Sequence, residues 1–354
     1  MTLGFGVSWL VTVIVTWGFI ITLRRLAPDL GLVDVPGGRK KHLGTVPLVG
    51  GIALFLGFTI GCLTLYQSLS NYRPFFVCVI GLMGLGIADD LHELNALWRI
   101  VGQTGVAVIA ILWGDIILSN LGNLLFIGPI HLIILGYFLS VLAIVGFINA
   151  FNMLDGNDGL CGSLALIQLG FITLLAWLHG LYNELYPLLL LCTAILVFMF
   201  FNFPYYRGQA SVFMGDAGSM LLGFTVVWYA IGFSQGPKVI AEPVTFAWIL
   251  AIPLFDCFNV ITKRLKQGYS PMRAGREHIH HILLDKGYSS LETVCIIDLL
   301  AIILAGVGVI LHVLQVPEAL SFSMFVGSFI VYFVCFQYID ELVGANKVDQ
   351  NECP

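Results

Sequence analysis

Long apolar runs, separated by short polar clusters, set the pattern of this chain. At the roughly 17 to 25 residues that a helix needs to cross a bilayer, runs fall near residues 4–23, 46–66, 74–88, 99–114, 131–150, 160–178, 187–202, 217–234, 244–262, 291–313 and 319–338. They predict an all-α polytopic membrane protein of about eleven transmembrane helices. The third, fourth and seventh runs are short, and the more polar stretch 115–130 has room for a re-entrant piece, so an even count is the alternative. Residues 1–340 read as a single integral-membrane domain and 341–354 as a short polar tail, expected to be mobile.

Basic residues orient the spans. With the amino terminus outside, Arg24, Arg25, Arg39, Lys40, Lys41, Arg99, Arg207, Lys263, Arg264, Lys266, Arg273, Arg276, Lys286 and Lys347 fall inside, and of the 16 Lys and Arg only Arg73 and Lys238 fall outside. That bias favours an odd number of spans with the carboxyl terminus also cytoplasmic. The same assignment puts every unusual polar cluster on the inner face: 34–42, 89–93, 149–158, 213–219 and 263–281. Ionisable groups at the ends of apolar helices are costly unless they serve a site. An active site built from cytoplasmic loops is therefore expected.

Composition strengthens the membrane reading. The 354 residues are 58% hydrophobic and 10% charged, with mean hydropathy +0.95, whereas soluble domains carry about a quarter charged residues. The net charge of −5 comes without a basic stripe, which argues against nucleic acid as a partner. The eight cysteines form no CxxC pair and read as small core hydrophobes. The first apolar run passes into Arg24-Arg25 with no small-residue cleavage pattern, so it reads as a retained span. The 39 glycines read as ordinary for membrane helices, although Gly50-Gly51 would permit close helix packing.

The clusters carry the candidate chemistry. In Asn149-Ala-Phe-Asn152-Met-Leu-Asp155-Gly-Asn-Asp158-Gly-Leu160, two amides and two carboxylates recur every three positions, and on a continuing helix they would share half its surface. A helix-end turn rich in Asn, Asp and Gly is the bland alternative. Asp89 and Asp90 repel unless a cation lies between or beside them, and Mg²⁺ carrying a diphosphate answers that need; a solvated acidic pair is the alternative. Asp216, in Phe213-Met-Gly-Asp-Ala-Gly-Ser219, is either a third metal carboxylate whose flanking glycines let backbone approach phosphate or an ordinary helix cap. His278, His280 and His281 lack zinc-ligand spacing and read as an anion-binding cluster with Arg273 and Arg276. Lys41, in Gly37-Gly-Arg-Lys-Lys-His42, clamps an anionic headgroup or merely anchors the first spans. Asp256, inside an apolar run, is a site candidate or the partner of a Lys or Arg on a neighbouring helix.

Taken together, GxxDD at 86–90, NAxNxxDGxDGL at 149–160, FMGDxGS at 213–219 and HIHH at 278–281 resemble the polyprenyl-phosphate N-acetylhexosamine-1-phosphate transferases, in order and spacing over nearly the whole chain. The HIHH form and the early GGRKKH are similar to the members that move GlcNAc-1-phosphate from UDP-GlcNAc to undecaprenyl phosphate. The resemblance implies a multi-pass enzyme of the bacterial inner membrane, with UDP-GlcNAc, undecaprenyl phosphate and the bilayer as partners and Mg²⁺ or Mn²⁺ as cofactor; it leaves room for a homodimer. It assigns Asn152 and Asp216 to the metal, Asp89 and Asp90 to the diphosphate and lipid phosphate, Phe213 to the uracil, and His278, His280 and His281 to the nucleotide-sugar side. Beside it, the residues themselves make Asp89 and Asp90 candidates for metal binding or catalysis, Asp155 and Asp158 structural or catalytic, and Asn149, Lys41 and Arg276 substrate-binding candidates. One departure is Glu93 where the family pattern has Asp. Another UDP-N-acetylhexosamine or UDP-MurNAc-pentapeptide is the alternative donor; a secondary transporter and a structural partner of a glycan machine are the rival classes.

Overall fold

The computed structural model describes residues 3–35, 44–204, 210–270, 275 and 277–351, and side chains at all of these except 237 and 340–351. It is a helical bundle whose elements run α1 (Leu3–Leu30), β1 (Val33–Asp34), β2 (Val46–Pro47), α2 (Gly50–Leu63), α3 (Arg73–His92), α4 (Ala96–Gly114), α5 (Ile133–Leu154), α6 (Leu160–Leu178), α7 (Tyr182–Asn202), α8 (Gly215–Ser234), α9 (Pro243–Ile249), α10 (Ala251–Lys266), α11 (Ile279–Asp285), α12 (Ser290–Val313) and α13 (Glu318–Asn351). The protein is a multi-pass membrane protein: among the described residues nine helices are long and apolar enough to cross a bilayer, and the bent pair α9–α10 makes ten.

The expected run 46–66 differs most. Its first residues form β2, which pairs antiparallel with β1 through Val33–Pro47 and Asp34–Val46, leaving α2 with 14 residues. That is about 21 Å of helix, short of a hydrocarbon core of about 30 Å. The expected run 244–262 is broken at Leu250, where α9 and α10 meet at 78°. Pro253 explains the break: it has no N–H to give the carbonyl four residues back, that of Ile249, and its ring crowds that carbonyl. The stretch 115–130 is irregular backbone, tied by a bridge between Asn120 and His131. The backbone of α13 stays helical past residue 340 to Asn351, with no break where the polar tail was expected to begin.

Helix α8 is the hub, almost wholly buried and packed by α2, α3, α5 and α6. Glycines make these approaches possible. A Cβ on Gly51 would sit 2.3 Å from the Gly218 Cα, one on Gly86 2.3 Å from the Ala217 Cα, and one on Gly223 2.8 Å from the Phe147 carbonyl. The glycines at these seams are thus packing devices rather than background composition. The seven described cysteines are free thiols.

Candidate functional site at one end of the bundle

The close α3–α8 and α5–α8 seams bring three helix ends together, and with them the acids. Asp89 and Asp90 occupy the last turn of α3. The chain then reverses: Glu93 ends the helix in left-handed backbone (φ 47°) with its N–H donating to the Asp89 carbonyl at 2.8 Å. Asn95 caps α4 by accepting from the Leu97 N–H at 3.1 Å. This tight turn leaves Glu93 exposed and returns Arg99 to Asp89.

Arg99 is the centre of the polar network. It contacts Asp89 Oδ2 at 3.0 Å and donates to Asn152 Oδ1 at 2.5 Å. Asn152 Nδ2 in turn donates to Asp216 Oδ1 at 2.5 Å and to Ser219 Oγ at 3.0 Å. In this arrangement Asn152 bridges Arg99 and Asp216, and its one metal-competent atom, the amide oxygen, accepts from the guanidinium. Asp90 reaches across to the start of α8, where Oδ1 accepts from the Asp216 N–H at 2.9 Å and Oδ2 lies 3.5 Å from the Ala217 N–H. Those first-turn donors were expected to meet phosphate; Asp90 occupies them and complements the helix dipole instead. Gly215, at φ 74°, has no Cβ to collide with that carboxylate.

The stripe from Asn149 to Asp158 divides at the end of α5. Asn149 donates to Gln103 Oε1 at 2.6 Å and to the Val145 carbonyl at 2.8 Å, cross-linking α4 and α5. Asp155 is the residue after the helix, and Gly159 turns the chain at φ 85° into α6. The four polar residues therefore do not share one helix face. Burial, then the charges of Asp216, Asp90 and Asp158, push the Asp155 carboxyl well above the usual carboxylate range. Asp158 accepts from the Ala210 N–H at 2.7 Å and so fastens the approach to α8. Asn157 exchanges hydrogen bonds with Ser290 at the start of α12.

Two outer pieces close the site. The carbonyl of Phe213 accepts from the Gly50 N–H at 3.0 Å and its own N–H donates to the Pro47 carbonyl at 2.9 Å, so the base of the β1–β2 connection lies against the site. Lys41, within that connection, and Arg276 lie outside the described residues. His280 is fully buried, with Nε2 against Gly156 where a Cβ would come within 2.5 Å, and the His280 and His281 rings are 4.1 Å apart. His278 is held by Asp256 at 2.6 Å; among the described residues this intramembrane acid pairs with a histidine, where a Lys or Arg of a neighbouring helix was the expected structural partner. Lys41 and Arg276 aside, the predicted residues gather at one end of the bundle. Arg99 and Gln103 stand in the site without having been among the candidates, and Ser219 was quoted only as the end of its motif. Arg99 had registered only as one of the inside charges; its solitary place at the head of an apolar helix was the available signal.

The acids fit an open divalent-cation site. Asp89 is 4% exposed, and its Oδ2 has the guanidinium beside it but no directed hydrogen bond, while its carboxyl lies within hydrogen-bonding reach of Asp216. Among the described residues no three His, Cys, Asp or Glu side chains form a ready-made metal cage. Mg²⁺ does not require one, because it takes one or two carboxylates and completes its shell with phosphate oxygens and water.

The result is a multi-pass helical protein with an acid and arginine centre at the ends of its membrane helices. Comparison with known proteins identifies the class. Residues 72–234 match the family model for glycosyl transferase family 4. Undecaprenyl-phosphate alpha-N-acetylglucosaminyl 1-phosphate transferase of Escherichia coli (strain K12) is 35% identical over 327 residues, 90% of this chain and 87% of that protein. The proteins of that name from Salmonella typhi and Haemophilus influenzae are each 36% identical, covering 90% and 89% of this chain and 87% and 88% of their own lengths. The chain belongs to glycosyl transferase family 4, and it is a transferase enzyme.

Proposed function

We propose that this chain transfers GlcNAc-1-phosphate from UDP-GlcNAc to undecaprenyl phosphate, yielding undecaprenyl-diphosphate-GlcNAc and UMP at the cytoplasmic face of the bacterial inner membrane, as the first membrane step of a lipid-linked glycan. The relatives' names carry that acceptor and that sugar. The observation that carries the reading is the crowding of Asp89, Asp90 and Asp155 about Asp216, with Arg99 paired to Asp89, at one end of a bundle of membrane helices. A transporter would need its acids along a path through the spans, and here Asp89, Asp90, Asp155 and Asp216 collect at helix ends.

The acceptor phosphate has its second pKa at about 6 and arrives largely ionised at neutral pH. Its oxygen attacks the β-phosphorus of the donor and UMP leaves, so no strong general base is demanded. The barrier lies in bringing a dianion against a diphosphate. Arg99 supplies a fixed positive charge, oriented by Asp89 and Asn152. Asp90 holds the start of α8 so that Asp216 faces the same space. Mg²⁺ or Mn²⁺, held by Asp89 and Asp216, would neutralise phosphate charge. The Phe213 ring fits the uracil and the histidine segment the rest of the nucleotide sugar, while the polyprenyl tail stays in the bilayer. The test is purified protein with undecaprenyl phosphate, Mg²⁺ and a panel of UDP-GlcNAc, UDP-GalNAc and UDP-MurNAc-pentapeptide. UMP is expected from UDP-GlcNAc first; preference for another donor replaces the sugar, and no UMP from any donor overturns the function.

A further inference from the structure

Helix α10 carries two buried charges outside the reaction centre, and both reach the segment that leads into α11. Arg264 pairs with Glu277 at 2.9 Å. Asp256, 1% exposed, takes the next two residues: Oδ2 holds His278 Nδ1 at 2.6 Å and Oδ1 accepts from the Ile279 N–H at 2.8 Å, with the Tyr332 hydroxyl donating to the same oxygen at 3.5 Å. The Pro253 break makes this possible by turning α10 away from the line of α9. His278, 4% exposed, lies nearly parallel to the His280 ring (12°, 6.0 Å between centroids), and His280 packs on Gly156 beside Asp155. One carboxylate thus sets the stack that borders the acidic centre.

An ionised carboxylate only accepts, so the hydrogen it shares with His278 sits on Nδ1 and leaves Nε2 as the ring nitrogen for a ligand. The negative charge behind the ring also balances a proton taken on Nε2 when an anion approaches, the logic of a carboxylate behind a working histidine. We propose that Asp256 is a positioning residue on the nucleotide-sugar side of the site: it orients His278 and holds a proton on Nδ1, so that Nε2, on taking a second proton, donates to an anionic oxygen of the donor's diphosphate. This rests on the functional reading above.

An amide at this position has one acceptor where the carboxylate has two. The Ile279 N–H is a fixed donor and claims it, so in Asp256→Asn the amide nitrogen faces His278 and the ring must bare Nδ1 and carry its proton on Nε2 without a counter-charge. In the full-length enzyme, Asp256→Asn is expected to raise the donor KM roughly tenfold, the loss of one charge-assisted hydrogen bond, with the lipid-phosphate KM within about twofold; Asp256→Glu recovers part of the loss. In a His278→Gln background, Asp256→Asn adds nothing. An unchanged donor KM, an equal rise for both substrates, or additive losses in the double variant overturns the proposal. Nitrogen-15 spectra of histidine-labelled protein, with the His278 signal assigned by its loss in His278→Gln, give a readout that needs no turnover. Protonated Nδ1 is expected in the wild type, with the proton moved to Nε2 in Asp256→Asn. A bare Nδ1 in the wild type rejects the proposal even if that variant does not fold. Failure of every donor to yield UMP would strike the functional reading and leave this spectrum to judge the Asp256–His278 pair.

Discussion

The bundle carries a polar cluster at each end, and the two handle charge in opposite ways. At the end away from the site, where Glu242 and Glu318 border a cavity of about 380 Å³, three acids each have a donor of their own. Glu184 pairs with Lys238, Glu242 accepts from His312 at 2.7 Å, and Glu318 accepts from the Asn123 N–H at 2.6 Å. Gln235 ties that end together by accepting from Ser119 and Asn120 and donating to the Asn120 carbonyl. At the site end, Asp89, Asp90, Asp155 and Asp216 lie close enough to influence one another, and among the described residues Arg99 is the cation paired with them. Matched acids hold helix ends in place. Acids crowded in this way suit a phosphate-bound cation by charge.

The comparison breaks most visibly through Asp216. Asp216→Asn keeps the shape but removes the charge aimed at the phosphates, so turnover should fall by about a hundredfold or more, with insertion and melting behaviour little changed. Lys238→Ala, at the other end, should leave turnover within about twofold. Retention of more than a tenth of the rate by Asp216→Asn would return the crowded acids to the architectural class.

Arg99 gives a somewhat smaller effect with a second readout. Arg99→Ala leaves Asp89 without its cation, and should cost about 2 kcal/mol of stability, less than a fully buried pair because Arg99 keeps 21% side-chain exposure. Turnover should fall by about ten- to hundredfold, with Arg99→Lys intermediate since an ammonium cannot span Asp89 and Asn152 as a fork. The sharper outcome is thermal. Mg²⁺ should raise the melting temperature of Arg99→Ala more than that of the wild type, because the added cation relieves repulsion the arginine no longer offsets. Equal Mg²⁺ shifts would separate Arg99 from the metal.

Much of the site end was legible in the sequence because apolar surroundings penalise stray charge: clusters of Asp, Asn and His gathered at helix ends on one side of the membrane are costly unless they bind something. What escaped depended on where each helix stopped and how it turned. Asn149 to Asp158 has a three-residue rhythm that suggests one face, but helix α5 ends at Leu154 and Gly159 redirects the chain, so only the two asparagines share the helix. Asp90 and Asp216 are 126 positions apart, and no local pattern says that one caps the helix of the other. Pro253, in the middle of the expected run 244–262, was the visible signal for the break, since an interior proline kinks or ends a helix. Arg99 illustrates the general difficulty, since a lone basic residue at a helix end satisfies the positive-inside rule before any partner is known.

The smallest expected effect tests the matched end by itself. The hydrogen bond from His312 is the leading influence on Glu242 and, against burial, holds its carboxyl below the usual glutamate range. A carboxyl lowered on folding contributes stability above its unfolded pKa, and that contribution is lost as pH falls through the lower folded value. Glu242 has a 41% exposed side chain, so solvent screening limits the contribution to about 0.5 kcal/mol or less. Melting curves of wild type and Glu242→Gln should therefore coincide in slope near neutrality and diverge only under acid conditions, where the wild type loses about 1 °C more. Raising the salt concentration should narrow the gap, and turnover should stay within about twofold. If Glu242→Gln instead slowed turnover as strongly as a change at Arg99, acids with their own donors would also govern the reaction, and the division of labour between the two ends would fail.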